Sequence, residues 1–324
     1  MALVTSLMVR FGRRLGRLGA VAVSQSYLKL KVAQRQNNKG EAYMRLTGRA
    51  LRIDTSAERK ITRFIRDYLD KAKAGGIVLG VSGGVDSAAT AALSTSAVGG
   101  RNVLGLFMPE EETYSKADYR HVRLLAGKFE FELKTIDLTQ IIAGVCKAIP
   151  DYDKQDKISK GNLKARTRML ILYYYANSQN LIVAGSSNKS ETMIGYYTKW
   201  GDAGADIAPI MDLYKTQVRQ LALQMGIPHS IAQKPSTPAL WPGQKAEEEI
   251  GLQYETLDLI LYGLEHFMPA EAIARQLSLP LATVLAIKTR WLQTEHKRQM
   301  PLTPKLQYRT INADFRVTRT VELE

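Results

Sequence analysis

Ser82, Asp86 and Ser87 stand around two adjacent glycines, Gly83 and Gly84, in the stretch GIVLGVSGGVDSAATAAL (residues 76–93). Paired glycines allow a sharp turn in which consecutive backbone N–H groups share one concavity. A helix starting near Val85 adds the partial positive charge of its N-terminus, and the two serines add hydroxyl donors. The stretch reads as a phosphate cradle, although the lysine-bearing pattern G-x-x-x-x-G-K-[ST] occurs nowhere in the chain. Asp86 is the unexpected member, because a carboxylate repels phosphate unless a cation lies between them. A magnesium ion with oxygen ligands removes that conflict. The plainer alternative is a strand-to-helix turn in which Asp86 only favours the helix start.

The elements needed to position this loop follow from the patterning. A helix is expected near 56–74, capped by Thr55 or Ser56, then a strand over 76–82, a helix over 85–97 and a strand over 102–109. A helix over 115–129, a strand over 132–138, a helix over 161–180 and a strand over 181–187 continue the alternation. Apolar runs separated by helices indicate a parallel sheet covered on both faces. The fold class is therefore α/β, a doubly wound parallel sheet whose ligands gather at the carboxyl ends of the strands. Beyond residue 212 the pattern is helical, over 215–226, 252–266, 269–277 and 280–297, and the C-terminal stretch with Pro301 and Pro304 is irregular.

Composition bounds the class. The chain has 324 residues, 45% hydrophobic and 23% charged, ordinary values for a globular protein. No apolar run is long enough to span a membrane. The single cysteine, Cys146, excludes a disulfide framework and a paired-cysteine zinc site, and it reads as structural in a reducing, cytoplasmic compartment. The net charge is +14, and residues 1–43 hold eight Lys or Arg against one acid, so half of the excess lies in that segment. It has the composition of a transit peptide or a nucleic-acid-binding arm. A disordered extension, or a translated leader ahead of a start at Met44, is the simpler expectation, so no nucleic acid is expected as partner. Residues 44–300 are expected to form the working domain and 301–324 an irregular tail. The remaining positive charge suits a protein that binds polyanionic nucleotides.

The strand–SGGVDS–helix stretch resembles the pyrophosphate loop of the N-type ATP pyrophosphatases, which cleave ATP between its α and β phosphates. Three further stretches narrow the resemblance: KGNLKARTRMLILYYYAN (160–177), VAGSSNKSETMIGYYTKWGDAGADIAPIMDLYKTQV (183–218) and TEHKR (294–298). Together they resemble the NAD synthetase family, in its ammonia-using branch, from about residue 57 to residue 300. The resemblance implies ATP as co-substrate on Gly80, Val81, Ser82, Gly83, Gly84, Val85, Asp86 and Ser87, with Ser186, Lys215 and Thr237. It implies a magnesium ion on Asp86 and Glu191, and deamido-NAD on Arg166, Lys199, Asp206, His296 and Lys297. Asp202 and Lys215 are implied as catalytic, Asp202 toward ammonia and Lys215 toward the charge developing on phosphorus. A homodimer with substrate at its interface is also implied.

Several of these positions have a plainer alternative. Glu191 could cap a helix, Lys215 and Arg166 could be solvated cations, and GDAGAD (201–206) could be a turn with solvated acids. Two departures from the family stand out. Ala239 and Ala246 replace common aspartates, and MPEEETYSKAD (108–118) lacks a usual Y-G-x-Q pattern, which leaves adenine contacts there open. No nitrilase-like amidase domain fits beside these elements, so ammonia is the expected nitrogen donor. The alternatives are a tRNA-modifying enzyme that adenylates a base, and a non-catalytic nucleotide sensor. Because residues 1–43 carry no pattern that would join the sheet, their deletion is expected to leave turnover intact. A soluble truncated protein that has lost most activity is the opposite outcome.

Overall fold

The computed structural model describes residues 44–311, so the expectations for residues 1–43 and for the end of the tail lie outside the described residues. The central strand is β1 (Gly76–Gly80), whose Ile77, Val78 and Leu79 have no exposed surface. It pairs in parallel with β2 (Val103–Phe107) on one side and β4 (Leu181–Val183) on the other. β3 (Glu132–Thr135) pairs in parallel with β2, giving the order β3-β2-β1-β4. The chain therefore reverses its direction of sheet growth between β3 and β4, and β1 and β4 flank the switch point where such sheets bind ligands.

Alternation along β1 divides two cores. Ile77, Leu79 and Val81 pack with α1 (Ala57–Ala72) and α2 (Val85–Val98), while Val78, Leu104 and Leu106 pack with Ala176 of α5 (Lys157–Gln179). The small residues Ala88, Ala89, Ala91 and Ala92 are buried on α2, which lets that helix lie close to the sheet. Between β2 and α5 the chain forms α3 (Lys116–Phe129) and α4 (Thr139–Ala148). β3 is shorter than expected and partly exposed because it is the sheet edge. β4 also stops early, and a single parallel bridge from Ala184 to Ile207 continues its edge.

The expected cap of α1 differs. Ser56 occupies the N-cap position in a helical conformation, and its N–H and hydroxyl donate to Asp54 at 2.9 and 2.7 Å. Side-chain capping needs an extended backbone at that residue, which Ser56 lacks. After β4 come α6 (Lys189–Ile194), α7 (Lys215–Gln224), α8 (His229–Ala232) and α9 (Ala246–Ile250). The helical end comprises α10 (Tyr254–Glu265), α11 (Ala270–Leu277) and α12 (Leu281–Gln293). These last helices bury a separate core that takes in Leu46 and Leu51 from the start of the described chain, and Ile194 and Tyr214 from the sheet side. Residues 301–310 contain no helix or strand, and among the described residues no helix is long and apolar enough to cross a membrane.

A Cβ on Gly76 would lie 2.3 Å from the Asn102 carbonyl oxygen, which is backbone and cannot swing aside. Gly76→Ala is expected to lower stability by about 1–3 kcal/mol in thermal unfolding. Gly144→Ala in α4, where a Cβ meets nothing within 4 Å, is expected to raise it by about 0.5–1 kcal/mol. Equal effects at the two sites would contradict this packing.

Candidate active site

β1 ends in the glycine loop, and α2 starts immediately after it. Gly83 has φ 78°, and a Cβ there would lie 2.9 Å from the Asp118 carbonyl oxygen. Its conformation and its neighbour both demand glycine. Gly84 has φ −93° and ψ 165°, an extended backbone open to any residue, so only the first glycine makes the turn. Ser82 N donates to Ser87 Oγ at 3.1 Å, the two hydroxyls lie 3.1 Å apart, and Ser87 Oγ donates to Gly84 O at 3.1 Å. Ser87 thus braces the loop from within, while Ser82 reaches the surface of the cleft.

The second part of the site lies beyond β4. Asn188 is fully buried at the N-terminus of α6, accepts from Glu191 N at 3.0 Å and donates through Nδ2 to Asp86 Oδ1 at 3.0 Å. Asn188 is the helix cap, so the capping alternative for Glu191 fails and its carboxylate is free to face the cleft. There it meets the ammonium of Lys215, the first residue of α7, at 3.3 Å, and the same ammonium donates to Asp86 Oδ2. Lys215 is 2% exposed, not solvated. Burial opposes its charge, but Asp86 and Glu191 outweigh burial and hold it protonated. Burial pushes the Glu191 carboxyl up to about 7 against the pull of Lys215, and Asp86 adds to the rise. Tyr254 from α10 completes the group, its hydroxyl 3.1 Å from Glu191 Oε1.

Two carboxylates against one ammonium leave this buried cluster one positive charge short. Among the described residues no three His, Cys, Asp or Glu converge as a metal cage. The two carboxylates nevertheless converge on a single cation, the lysine ammonium. That fits an ion held by one or two carboxylates with the remaining ligands from phosphate and water.

Around this cluster lie a pocket of about 180 Å³, with Ser82, Gly84, Ser186, Thr237 and Lys234 in its wall, and a cavity of about 560 Å³. Ser82, Ser87, Ser186, Asp202 and Thr237 line both, so the two are continuous. The larger runs from Gly80 and Val81 past Met108 and Tyr114 to Trp241 and Lys297. The segment left open for adenine contacts therefore walls this cavity. Ala239, one of the two replaced aspartates, also lines the pocket and has φ 50°, a left-handed conformation that an alanine adopts at a cost. Ala246 is buried at the start of α9, and its N–H donates to Ser236 O at 3.0 Å.

Asp202 sits where pocket and cavity meet, open to the cleft but crowded by protein on its other sides. Loss of bulk water pushes its carboxyl up, opposed by a 2.8 Å hydrogen bond from Thr198 N and by the charges of Lys297 and Arg168. Lys297 donates to the carbonyls of Gly195 and Tyr197 at 2.7 and 2.8 Å, and burial lowers its proton affinity. The other four implied substrate residues stand outside these walls. Arg166 is exposed and donates to Lys199 O at 3.3 and 3.2 Å, and Lys199 Nζ donates to His296 O at 2.6 Å. Asp206 accepts from Tyr173 Oη at 3.1 Å and Val183 N at 2.8 Å, which fastens its loop to β4.

Sequence reasoning missed Asn188, Tyr254 and Arg168, which donates to Met108 O at 3.2 Å in the cavity wall. For Asn188 the signal was present, a capping residue type directly before a helix. Tyr254 has no local signal.

A doubly wound α/β fold with a glycine loop, a carboxylate pair and a buried lysine at its switch point defines a nucleotide-phosphate enzyme. The family model for NAD synthase matches residues 57–301, and the chain belongs to that family. The NH3-dependent NAD synthetase of Methanocaldococcus jannaschii is 45% identical over 249 residues, 76% of this chain and 95% of that protein. Among solved structures, the NMN synthetase of Francisella tularensis is 29% identical, with a TM-score of 0.67 over 78% of this chain and 98% of that one. The NH3-dependent NAD synthetase of Campylobacter jejuni is 30% identical, with a TM-score of 0.66 over 78% of this chain and 100% of that one.

Asn188→Ala removes both the cap and a partner of Asp86. Stability is expected to fall by roughly 1–2 kcal/mol, and ATP binding measured by calorimetry is expected to weaken. Intact ATP affinity would mean that Asn188 serves α6 alone.

Proposed function

We propose that the chain amidates deamido-NAD with ammonia at the expense of ATP, giving NAD, AMP and pyrophosphate. The observation that carries this reading is the Lys215 ammonium between Asp86 and Glu191 beside the glycine loop. That geometry suits the β and γ phosphates of ATP as a leaving group. A carboxylate oxygen of the nicotinate attacks the α-phosphorus, the bond from that phosphorus to the bridging oxygen breaks, and an acyl adenylate and pyrophosphate result. Ammonia then attacks the acyl carbon, AMP departs, and the surplus proton on nitrogen goes to Asp202, whose crowding raises its proton affinity. Lys215 and the loop N–H groups offset charge on the phosphates, and the cavity walls orient the reactants.

Asp86 and Glu191 hold magnesium in this reading, with phosphate oxygens and water as the other ligands; the ion supplies further neutralisation of the polyphosphate. Thr237 and Ser186 contact ATP, and Lys297 contacts the dinucleotide from the cavity wall. Arg166, Lys199, Asp206 and His296 lie outside that wall, which supports a substrate that extends over the outer face under a second copy of the chain. Exposed apolar side chains support the same homodimer: Leu170 and Tyr174 on α5 are 66% and 69% exposed, and Phe64 and Tyr68 are exposed on α1. The working unit is residues 44–300, and the location is cytoplasmic, where ATP and the dinucleotide are at hand. A nucleotide sensor would need neither the carboxylate pair nor the buried lysine.

Purified protein given ATP, magnesium, ammonium and deamido-NAD is expected to form NAD and AMP in equal amounts. ADP as the stoichiometric product, or NMN formed in preference to NAD when both acceptors are offered, would overturn the assignment. Asp86→Asn and Glu191→Gln are each expected to slow adenylate formation by on the order of a hundredfold, about 3 kcal/mol. Because both act on one cation, the double variant is expected to be little worse than the poorer single. Added magnesium should recover part of either loss, whereas multiplicative losses insensitive to magnesium would separate the two carboxylates.

A further inference from the structure

The backbone that presents Lys215 is capped only in part by its own segment, where Tyr214 N donates to Gln217 Oε1 at 2.9 Å. The first N–H groups of a helix need partners from elsewhere. Lys215 N donates to Ser190 Oγ at 2.8 Å, and Thr216 N donates to Asp258 Oδ2 at 2.9 Å. Ser190 Oγ donates in turn to Asp258 Oδ1 at 2.5 Å. Asp258 lies on α10 with no exposed surface, and its one carboxylate joins the first turn of α7 to the first turn of α6. Those two helices carry Lys215 and Glu191. One turn earlier on the same face of α10, the Tyr254 hydroxyl donates to Glu191 and its ring lies 5.2 Å from Lys215 Nζ.

We propose that Asp258, with Tyr254, is a positioning residue of the reaction, holding Lys215 and Glu191 in the one relative geometry that the phosphates of ATP require. The inference rests on the ATP-using reading of the site. A buried charge is costly where no cation offsets it. A helix cap alone needs only one neutral acceptor, such as an asparagine or serine oxygen. What a carboxylate adds is acceptance at both oxygens at once, which no amide offers. Here both are used, one for each helix; burial pushes the carboxyl up to about 6, and the bonds from the Ser190 hydroxyl and from Thr216 N at the start of α7 pull the other way. Neither Asp258 nor Tyr254 touches the glycine loop or lines the cleft. Their effect reaches the phosphates only through Lys215 and Glu191.

The test is a set of cycles read by calorimetric ATP titration in magnesium buffer. Asp258→Asn keeps the shape but turns one acceptor into a donor, so the Ser190 hydroxyl must reverse and the charge-assisted bond that ties α6 to α7 is lost. ATP affinity is expected to fall roughly tenfold, the scale of one buried hydrogen bond to a charge. The KM for deamido-NAD should change less than about twofold, with kcat reduced. In a Lys215→Met background the same substitution is expected to cost clearly less ATP affinity, because one of the two side chains it positions is gone. An equal loss in both backgrounds, or a lowered unfolding temperature with ATP affinity intact, would reduce Asp258 to a structural cap and overturn the proposal. Should Asp258→Asn fail to fold, Tyr254→Phe, which removes one hydroxyl, decides the matter in the same way against Glu191→Gln: loss of ATP affinity in the parent alone supports positioning, and equal or absent loss overturns it. The ATP arm needs no deamido-NAD, so an unaltered protein that binds ATP without forming NAD sinks the reaction assignment while leaving the positioning role to be decided.

Discussion

A lysine ammonium buried at 2% exposure cannot stay charged without partners, and Lys215 finds two, Asp86 and Glu191, on separate segments of the chain. That requirement organises the molecule. Asp86 follows β1, Glu191 follows β4 and Lys215 opens α7, so their meeting depends on β1 and β4 being neighbours in the sheet. The order β3-β2-β1-β4 makes them neighbours and opens the cleft between their carboxyl ends. Asn188 ties the two sides by capping α6 and bonding Asp86. Burial, with a smaller push from Asp86, raises the Glu191 carboxyl toward neutrality, and the two carboxylates around one ammonium invite a further cation.

The helical end of the chain is part of this site. α6 has only six residues, too few to persist alone. Its C-terminal carbonyls are met by cations from the far end: Arg298 bonds Thr192 O and Met193 O at 3.0 and 2.7 Å, and Arg290 bonds Ile194 O at 3.2 Å. Positive groups at a helix C-terminus also oppose its dipole. With Ile194 buried in the same core as Leu257, Ile260 and Ile273, the helix that carries Glu191 is clamped from both ends. The TEHKR stretch, which its resemblance linked to substrate, thus has a structural task through Arg298 and lines the cavity through Lys297.

The replacement of two family aspartates leaves the pocket wall continuous. Ala239 holds the left-handed conformation that an aspartate accepts more readily, and Ala246 seats α9 against Ser236. The buried alanines of α2 likewise show small residues used for close approach, with the helix near enough to β1 for its first turn to bear on the loop.

What the sequence determined by itself is what neighbours in the chain decide. Apolar runs between helical patterns specified the parallel strands, and the glycine loop with Asp86 specified a phosphate turn, because both are short-range matters of burial period and backbone freedom. Helices α4, α8 and α9 escaped that reading, and α6 was foreseen only as a corner that Glu191 could cap; α6, α8 and α9 have six residues or fewer, too short to show a period. Asp86 was named from its loop, and Glu191 and Lys215 from the family resemblance, but nothing local said that one ammonium would join two carboxylates 129 and 24 residues away. Nor could it say that Asp258 would cap a helix 42 residues earlier, or that Arg166, Lys199, Asp206 and His296 would stand outside the cleft wall. Those outcomes belong to the tertiary structure, because the partner of a buried polar group is set by which elements the sheet order and the second core bring together, and that order is not written in any one segment.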